Sequence, residues 1–394
     1  MLDVMALGIV IPVLPQLIQE FTGSNARAGL INGLFIAGWA VMQFIFSPLI
    51  GSLSDRFGRR PIILISSAGL AVDYVLVALA PNLWWLVAAR LLGGITTASF
   101  STASAYLADV TPPEGRAKAY GLIGAAWSAG FVAGPLLGGV LGDWSLRAPF
   151  WAAAALSAAA FAYGLFVLPE SLPVDKRMPF SWGRANPLGS LKLLRSHPEL
   201  SGLASVNFLL WFSHHVFTAV FVLYAAYRYE WGPSQVGGVL ALVGVLDMIV
   251  QGLLTGRMVK RFGDARVMII GLLGGAAGLA AMGAAPAGGW FIAAMLPNAL
   301  WGLSMPTLQS LMTRRVSESE QGQLQGANSS VQSIAGIASP LFFGWVYSLS
   351  IDGSHGIGAS GTAFYISAAV LLGAAVLGWR VASEARKARR PAVA

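Results

Sequence analysis

The chain of 394 residues contains no cysteine, which excludes disulfides, thiolate metal sites and a cysteine nucleophile. Its four histidines stand at 197, 214, 215 and 355 and form no H-E-x-x-H or comparable ligand spacing, so catalytic metal chemistry has no ligand set to use. No G-x-x-x-x-G-K-S/T phosphate loop occurs, so nothing here hydrolyses a nucleotide to drive work. Charge is scarce as well: Asp, Glu, Lys and Arg make up 11% of the chain, while hydrophobic residues make up 56%. Soluble domains carry about 25% charged residues, and a water-soluble enzyme is thereby excluded.

What the chain does have is long charge-free runs, at 28–54, 119–142, 148–169, 200–227, 321–351 and 353–379. Each is long enough for one spanning helix. Residues 61–108 carry only Asp73 and Arg90 and break at Pro81-Asn82. Residues 231–256 hold one acid, Asp247, and the run 267–313 is divided by Pro286-Ala287-Gly288-Gly289, a turn signal. With the opening segment, this predicts an all-α polytopic membrane protein of twelve transmembrane helices.

Of the 25 Lys and Arg residues, all except Arg27, Arg90, Arg147 and Arg228 fall in alternate connections, at 51–61, 109–118, 170–199, 257–266, 313–320 and 380–394. The net charge of +8 is therefore an orientation signal that places both termini in the cytoplasm. No nucleic-acid partner and no cofactor are expected. The surroundings are membrane lipid, and a monomer is expected.

The longest polar stretch, 170–199, contains Pro173, Pro179, Pro187 and Pro198. It reads as a cytoplasmic linker between an N-terminal six-helix half (1–169) and a C-terminal half (200–380), followed by a basic tail (381–394). An internal repeat supports two pseudo-symmetric halves: GSLSDRFGRR at 51–60 returns as GRMVKRFGDA at 256–265, and Gly134-Pro135 returns as Ser339-Pro340. Parallel repeats of this kind place a transporter's binding site near their interface. The first apolar stretch, Val4 to Gln19, spans only about 24 Å against a hydrocarbon core of about 30 Å. The first helix thus reads as truncated, with the chain beginning inside it, and it lacks the basic start of a signal peptide.

The loop 51–61, GSLSDRFGRRP, orders its residues more strictly than a positive-inside loop requires. Together with Asp3 and Pro12-Val13-Leu14-Pro15, Met42-Gln43-Phe44, Ala71-Val72-Asp73-Tyr74, Arg90 with Gly94-Ile95-Thr96, Tyr106-Leu107-Ala108-Asp109, Ala133-Gly134-Pro135 with Gly138-Gly139, Leu168-Pro169-Glu170-Ser171, Met305-Pro306 and Gln321 to Gly326, it resembles the major facilitator superfamily. Within that superfamily the chain is similar to the drug/proton antiporters of the tetracycline-resistance efflux group. The resemblance covers essentially the whole chain.

The resemblance implies a cytoplasmic gate of Gly51, Asp55, Arg56, Gly58, Arg59 and Asp109. In it, Asp55 meets the start of the eleventh helix near Gln321, and Arg56 or Arg59 pairs with Asp109. The second copy replaces Asp55 by Lys260 and Arg59 by Asp264, so the first copy is expected to matter more. It also implies that the helix-five glycines and proline, Gly130, Gly134, Pro135, Gly138 and Gly139, form the antiporter signature. Their spacing alone reads as close helix packing.

Four ionisable groups, Asp3, Asp73, Arg90 and Asp247, fall inside helices, where an unpaired charge costs about 2.5–3.5 kcal/mol. An acid whose arginine partner comes and goes acts as a proton switch, and the resemblance groups Asp3 with Arg90 in that role. A static ion pair is the alternative. Asp247 departs from the enterobacterial tetracycline pumps, which have a histidine there and an acid in helix nine. Here helix nine reads Gly271 to Ala276 with no acid. Polar candidates for a substrate cavity are Gln43, His214 or His215, Asn298, Gln309, Asn328 and Gln332, with interhelical hydrogen bonding as the alternative for each. Of the adjacent histidines at most one can point into the cavity. Trp127, Trp211 and Trp301 are candidates to stack on an aromatic drug.

These readings converge on a proton-coupled exporter of a small amphiphilic compound, multidrug or tetracycline-like, working by alternating access in the bacterial inner membrane. The alternatives are a metabolite uniporter or proton symporter, and a non-transporting membrane sensor or degraded pump.

Overall fold

A computed structural model describes residues 1–97, 100–112, 115–180, 193–194, 198–317, 320–352 and 360–388. The expected linker (170–199) and basic tail (381–394) lie partly outside the described residues. Twelve helices are long and apolar enough to cross a membrane: α1 (Leu2–Thr22), α2 (Asn25–Phe57), α3 (Arg59–Leu79), α4 (Leu83–Val110), α5 (Leu122–Trp144), α6 (Ala148–Val167), α7 (Leu200–Tyr229), α8 (Pro233–Phe262), α9 (Asp264–Ala284), α10 (Gly288–Thr313), α11 (Gln323–Ile351) and α12 (Thr362–Ser383). The predicted break at Pro81-Asn82 falls between α3 and α4, and that at Pro286 to Gly289 spans the α9–α10 connection and the first two residues of α10.

The turn chemistry follows from local sequence. Gly23 ends α1 in the left-handed conformation, φ 63°, and Ser24 caps α2 by accepting from the Arg27 N–H at 3.5 Å, the usual exchange of a C-terminal glycine for an N-terminal hydroxyl. Both copies of Arg-Phe-Gly do the same job. Gly58 (φ 103°) separates α2 from α3 and Gly263 (φ 77°) separates α8 from α9, backbone conformations that a side chain resists.

α1 is not one regular helix: it breaks into Leu2–Val10 and Leu14–Thr22 around Pro12, whose ring removes a donor and crowds the preceding turn. The two pieces form one candidate span of 21 residues, longer than the apolar stretch Val4 to Gln19 suggested. α7 and α8 contain π-helical turns at Phe217–Phe221 and Val250–Leu254, and α10 tightens to a 3-10 turn at Leu300–Leu303, just after Pro297. Such departures from regular winding are concentrated at functional positions.

The helices pack into two compact units, one of Met1–Pro187 with Glu230–Gly244 and one of Leu188–Tyr229 with Val245–Ala394. In the first, α1 packs on α5 and α6, and α3 on α4 and α6; in the second, α7 packs on α11 and α12, and α9 on α10 and α12. The same neighbours thus recur in sequence order in both units. α8 is shared: its first turns belong to the first unit and the remainder, from Val245, to the second.

Candidate functional site

The deepest charge in the first unit is an ion pair. Arg90 Nη2 on α4 donates to Asp73 Oδ2 on α3, and the two residues are 7% and 1% exposed. Gly93, one turn beyond Arg90, makes the room: a Cβ there would stand 2.6 Å from Asp73 Oδ2. The Arg90 guanidinium lies 5.8 Å from the centre of the Tyr74 ring, a cation–π distance. Asp73 Oδ1 and Arg90 Nε are buried without a hydrogen-bond partner, so the pair is only partly satisfied.

The resemblance groups Arg90 with Asp3 as a proton switch; the direct hydrogen-bond partner of Arg90 is Asp73. Asp73 sits on the helix next to α4 and reaches the guanidinium directly. Asp3, in the first turn of α1, keeps a buried Oδ1 with no hydrogen bond.

At the α2–α3 turn, Arg59 is the hub. Its Nη1 meets Asp55 Oδ1 at 2.6 Å and donates to Ser54 Oγ at 2.6 Å; its Nε meets Asp109 Oδ2 at 3.3 Å. Of the two arginines offered as the partner of Asp109, Arg59 takes the place, while Arg56 lies over the Phe57 ring at 5.1 Å.

Glu170 is the organiser that sequence reasoning left unassigned, although its motif was visible. Its Oε1 accepts from the backbone N–H groups of Arg59 (2.9 Å), Ser171 (3.0 Å) and Leu172 (3.0 Å), and its Oε2 from that of Arg60 (3.3 Å). It thereby caps the start of α3 from across the chain. Burial alone would raise the Glu170 pKa, but those four donors, from Leu172, Arg59, Arg60 and Ser171, outweigh it and hold the carboxyl below its ordinary 4.5. Ser171 Oγ also donates to Asp109 Oδ2 at 3.1 Å. Gly58 is required twice, by its φ and because a Cβ would meet the Glu170 carboxylate. Gly51 has open space around it. In the second copy Asp264 pairs with Arg314, the residue just past the end of α10, at 3.1 Å.

The glycines of α5 serve two faces rather than the single one their four-residue spacing suggests. Gly130, Gly134 and Gly138 meet the backbone of α1 from Val4 to Ile9: a Cβ on Gly134 would lie 2.7 Å from the Met5 carbonyl oxygen, and one on Gly138 would collide with that of Ile9. Gly139 and the Pro135 carbonyl face the first turns of α8, where Gly237 approaches that carbonyl, while the Pro135 ring lies against Gly8 of α1.

In the second unit, Asp247 is half-buried and pairs with no basic residue among the described residues. A Cβ on Gly302 would stand 3.3 Å from its Oδ1. Next to Gly302, Trp301 lies 5.6 Å from the His214 ring, and His214 lies 5.3 Å from Trp211. His214 is exposed. His215 Nδ1 and Nε2, Asn298 Oδ1 and Trp301 Nε1 are buried with no hydrogen-bond partner.

The other polar candidates divide. Asn328 donates to Gln309 Oε1 at 3.1 Å and accepts from Asn207 at 3.3 Å, so these two form an interhelical chain with a residue the sequence reading did not include. Gln332 is exposed and Gln43 half-buried. On α9, Gly271, Gly274, Gly275 and Gly278 pack directly on Ser304, Pro297, Leu300, Trp301 and Asn298 of α10, and at those four positions no side chain fits the seam.

Membrane-length helices around a buried arginine–carboxylate pair define a multi-pass membrane protein, and the family shown below is one of transporters of small molecules, not of enzymes. Comparison with known proteins makes the class specific. The profile of the Major Facilitator Superfamily matches residues 1–340 and 203–394. The chain is 37% identical over 366 residues to the class C tetracycline resistance protein of Escherichia coli, covering 93% of this chain and 92% of that one. It is 35% identical over 373 residues to the class E protein of the same species, covering 94% and 92%. Among solved structures, the nucleoside transporter NupG aligns with a TM-score of 0.78 over 96% of each chain at 15% identity, a likeness of fold alone. This chain belongs to the Major Facilitator Superfamily.

Proposed function

We propose that this protein exports a small amphiphilic compound, tetracycline-like or of the multidrug type, from the cell in exchange for protons, by alternating access, with both termini in the cytoplasm. The observation that carries the reading is the buried Asp73–Arg90 pair in a chain 37% identical to a tetracycline resistance protein. A carboxylate neutralised by an arginine inside the membrane can exchange that partner for a proton, and each choice favours a different arrangement of the helices. Asp3 and Asp247 are the further acids available to the same cycle. The Asp55–Arg59–Asp109 cluster with Glu170, together with Gly51, Arg56 and Gly58, is the cytoplasmic gate in this reading, and the α5 glycines are the packing on which the transition pivots. His215, Asn298, Gln43 and Gln332 are substrate contacts, and Gln309 and Asn328 act through their shared hydrogen bond.

The test is twofold. Expression in an efflux-deficient bacterial host raises resistance to tetracycline or to another amphiphilic compound, and Arg90→Ala abolishes the gain. In proteoliposomes, substrate uptake driven by an imposed pH gradient moves protons the opposite way. Substrate flux with no proton movement would refute antiport, and protons moving with the substrate would favour the symporter alternative. No change in susceptibility to any compound would favour a sensor.

A further inference from the structure

A separate charged contact lies at the end of α5 opposite the Arg59 cluster, where Asp143 receives the first turn of α8. The Ser234 N–H donates to Asp143 Oδ1 at 3.3 Å, and the Ser234 hydroxyl donates to Asp143 Oδ2. Gly232 N–H is occupied separately by Gln235 Oε1 at 3.0 Å. The carboxylate thus sits where the unsatisfied N–H groups and the positive dipole end of a helix favour a negative charge.

The backbone approach beneath it is close. A Cβ on Gly139 would lie 2.7 Å from the Pro233 carbonyl oxygen, and one on Gly142 would lie 2.7 Å from Pro233 Cβ. Immediately before, Glu230 takes a left-handed φ of 56°, which a side chain adopts reluctantly. The compact units divide at this residue. On its other side, Tyr229 Oη of α7 donates to the Ala285 carbonyl at 3.0 Å. The α7–α8 connection is therefore held from both ends, with one irregular residue between the two attachments.

We propose that Asp143 is the latch of the α5–α8 seam: its hold on Ser234 keeps that seam shut in one stage of the transport cycle and has to be released in another. The proposal rests on the alternating-access reading above. Two features argue for a reversible contact. A charge-assisted cap at an exposed helix start can exchange its N–H donors for water at small cost. The glycines at this seam, Gly139 and Gly237 against backbone and Gly142 against the Pro233 ring, present no long side chains of their own to withdraw when it parts.

The natural absence of cysteine allows a direct test. In the full-length protein, Asp143→Cys with Ser234→Cys is oxidised, or bridged with a short bis-methanethiosulfonate, and tetracycline flux is read in membrane vesicles before and after reduction. The expected result is efficient cross-linking that stops flux at least tenfold and is reversed by reductant. In a second variant, Val236→Cys, at a position fully buried on α8, reports opening through its rate of reaction with a membrane-impermeant maleimide. Adding Asp143→Ala raises that rate several-fold, and Asp143→Asn, which keeps an acceptor oxygen, raises it less. Cross-linked protein that transports at the unlinked rate, a pair that never cross-links, or an unchanged maleimide rate would each overturn the latch. Absence of tetracycline flux in the unmodified protein would instead count against the export reading, while the cross-linking and maleimide rates still judge the latch.

Discussion

Replacing Arg90 tests the buried pair most sharply. Asp73 is 1% exposed, its Oδ2 is engaged by Arg90, and its Oδ1 already lacks a hydrogen-bond partner. Arg90→Ala therefore leaves a carboxylate with no donor in a place water does not reach. Breaking a buried pair from one side costs about 3–5 kcal/mol, whereas removing both charges together is often neutral. At about 1.4 kcal/mol per tenfold, the single variant loses roughly two to four powers of ten in its folding equilibrium. Asp73→Asn with Arg90→Gln recovers most of this, because neither neutral amide is left facing an unpaired charge. Thermal unfolding of the purified protein in detergent, run as a double-mutant cycle, measures the coupling, and an internal pH dye in proteoliposomes reads proton movement. The expected pattern is a folded double variant whose substrate flux no longer moves protons. A double variant no more stable than Arg90→Ala, or one still coupled to protons, would refute the reasoning.

Three further outcomes follow from the geometry. Because Glu170 titrates below its ordinary 4.5, its stabilisation of the α3 start is fully present above that value and fades as pH drops through the lowered folded value. The hydrogen-exchange protection factors of the Arg59 and Arg60 amides are thus expected to change little around neutrality in the native protein, and to fall up to about tenfold in Glu170→Ala, the worth of a lost helix cap; equal protection in the two proteins would remove Glu170 as the cap. Gly138→Leu drives a side chain into the Ile9 carbonyl and is expected to cost at least about 1–3 kcal/mol, as overpacking does, seen as loss of monodisperse protein by size-exclusion chromatography. The same change at Gly51, with open space around it, is expected to leave that profile intact. Asp247→Asn orphans no cation, so the variant is expected to fold normally while resistance in an efflux-deficient host falls several-fold; full resistance would exclude Asp247 from the cycle.

The helices were legible because hydropathy acts on every residue of a span, and neither the proline breaks nor the positive-φ glycines need any distant partner. Arg59 was legible as a gate residue because its motif is contiguous. Glu170 was quoted in a motif but could not be assigned, since the groups it serves are backbone N–H donors about 110 positions away, and a backbone donor leaves no mark in sequence. Which acid pairs with Arg90 was not legible for a related reason: three acids stand inside helices, and composition cannot say which one faces a given guanidinium. Asn207 was passed over because a single amide in an apolar run reads the same whether it lines a cavity or bonds to Asn328.

By itself the amino-acid sequence determined that this is a twelve-helix membrane protein built on a repeated turn motif. Those properties are sums of local preferences, of each run for hydrocarbon and of each glycine for a left-handed turn. Only the tertiary structure decided which acid neutralises Arg90, that α5 packs through two faces, that α9 has glycines where an acid would not fit, and that Asp143 caps α8. Each of these depends on how closely two helices approach and which side chains then point at one another, and such close approach is a property of pairs of segments that no single segment encodes.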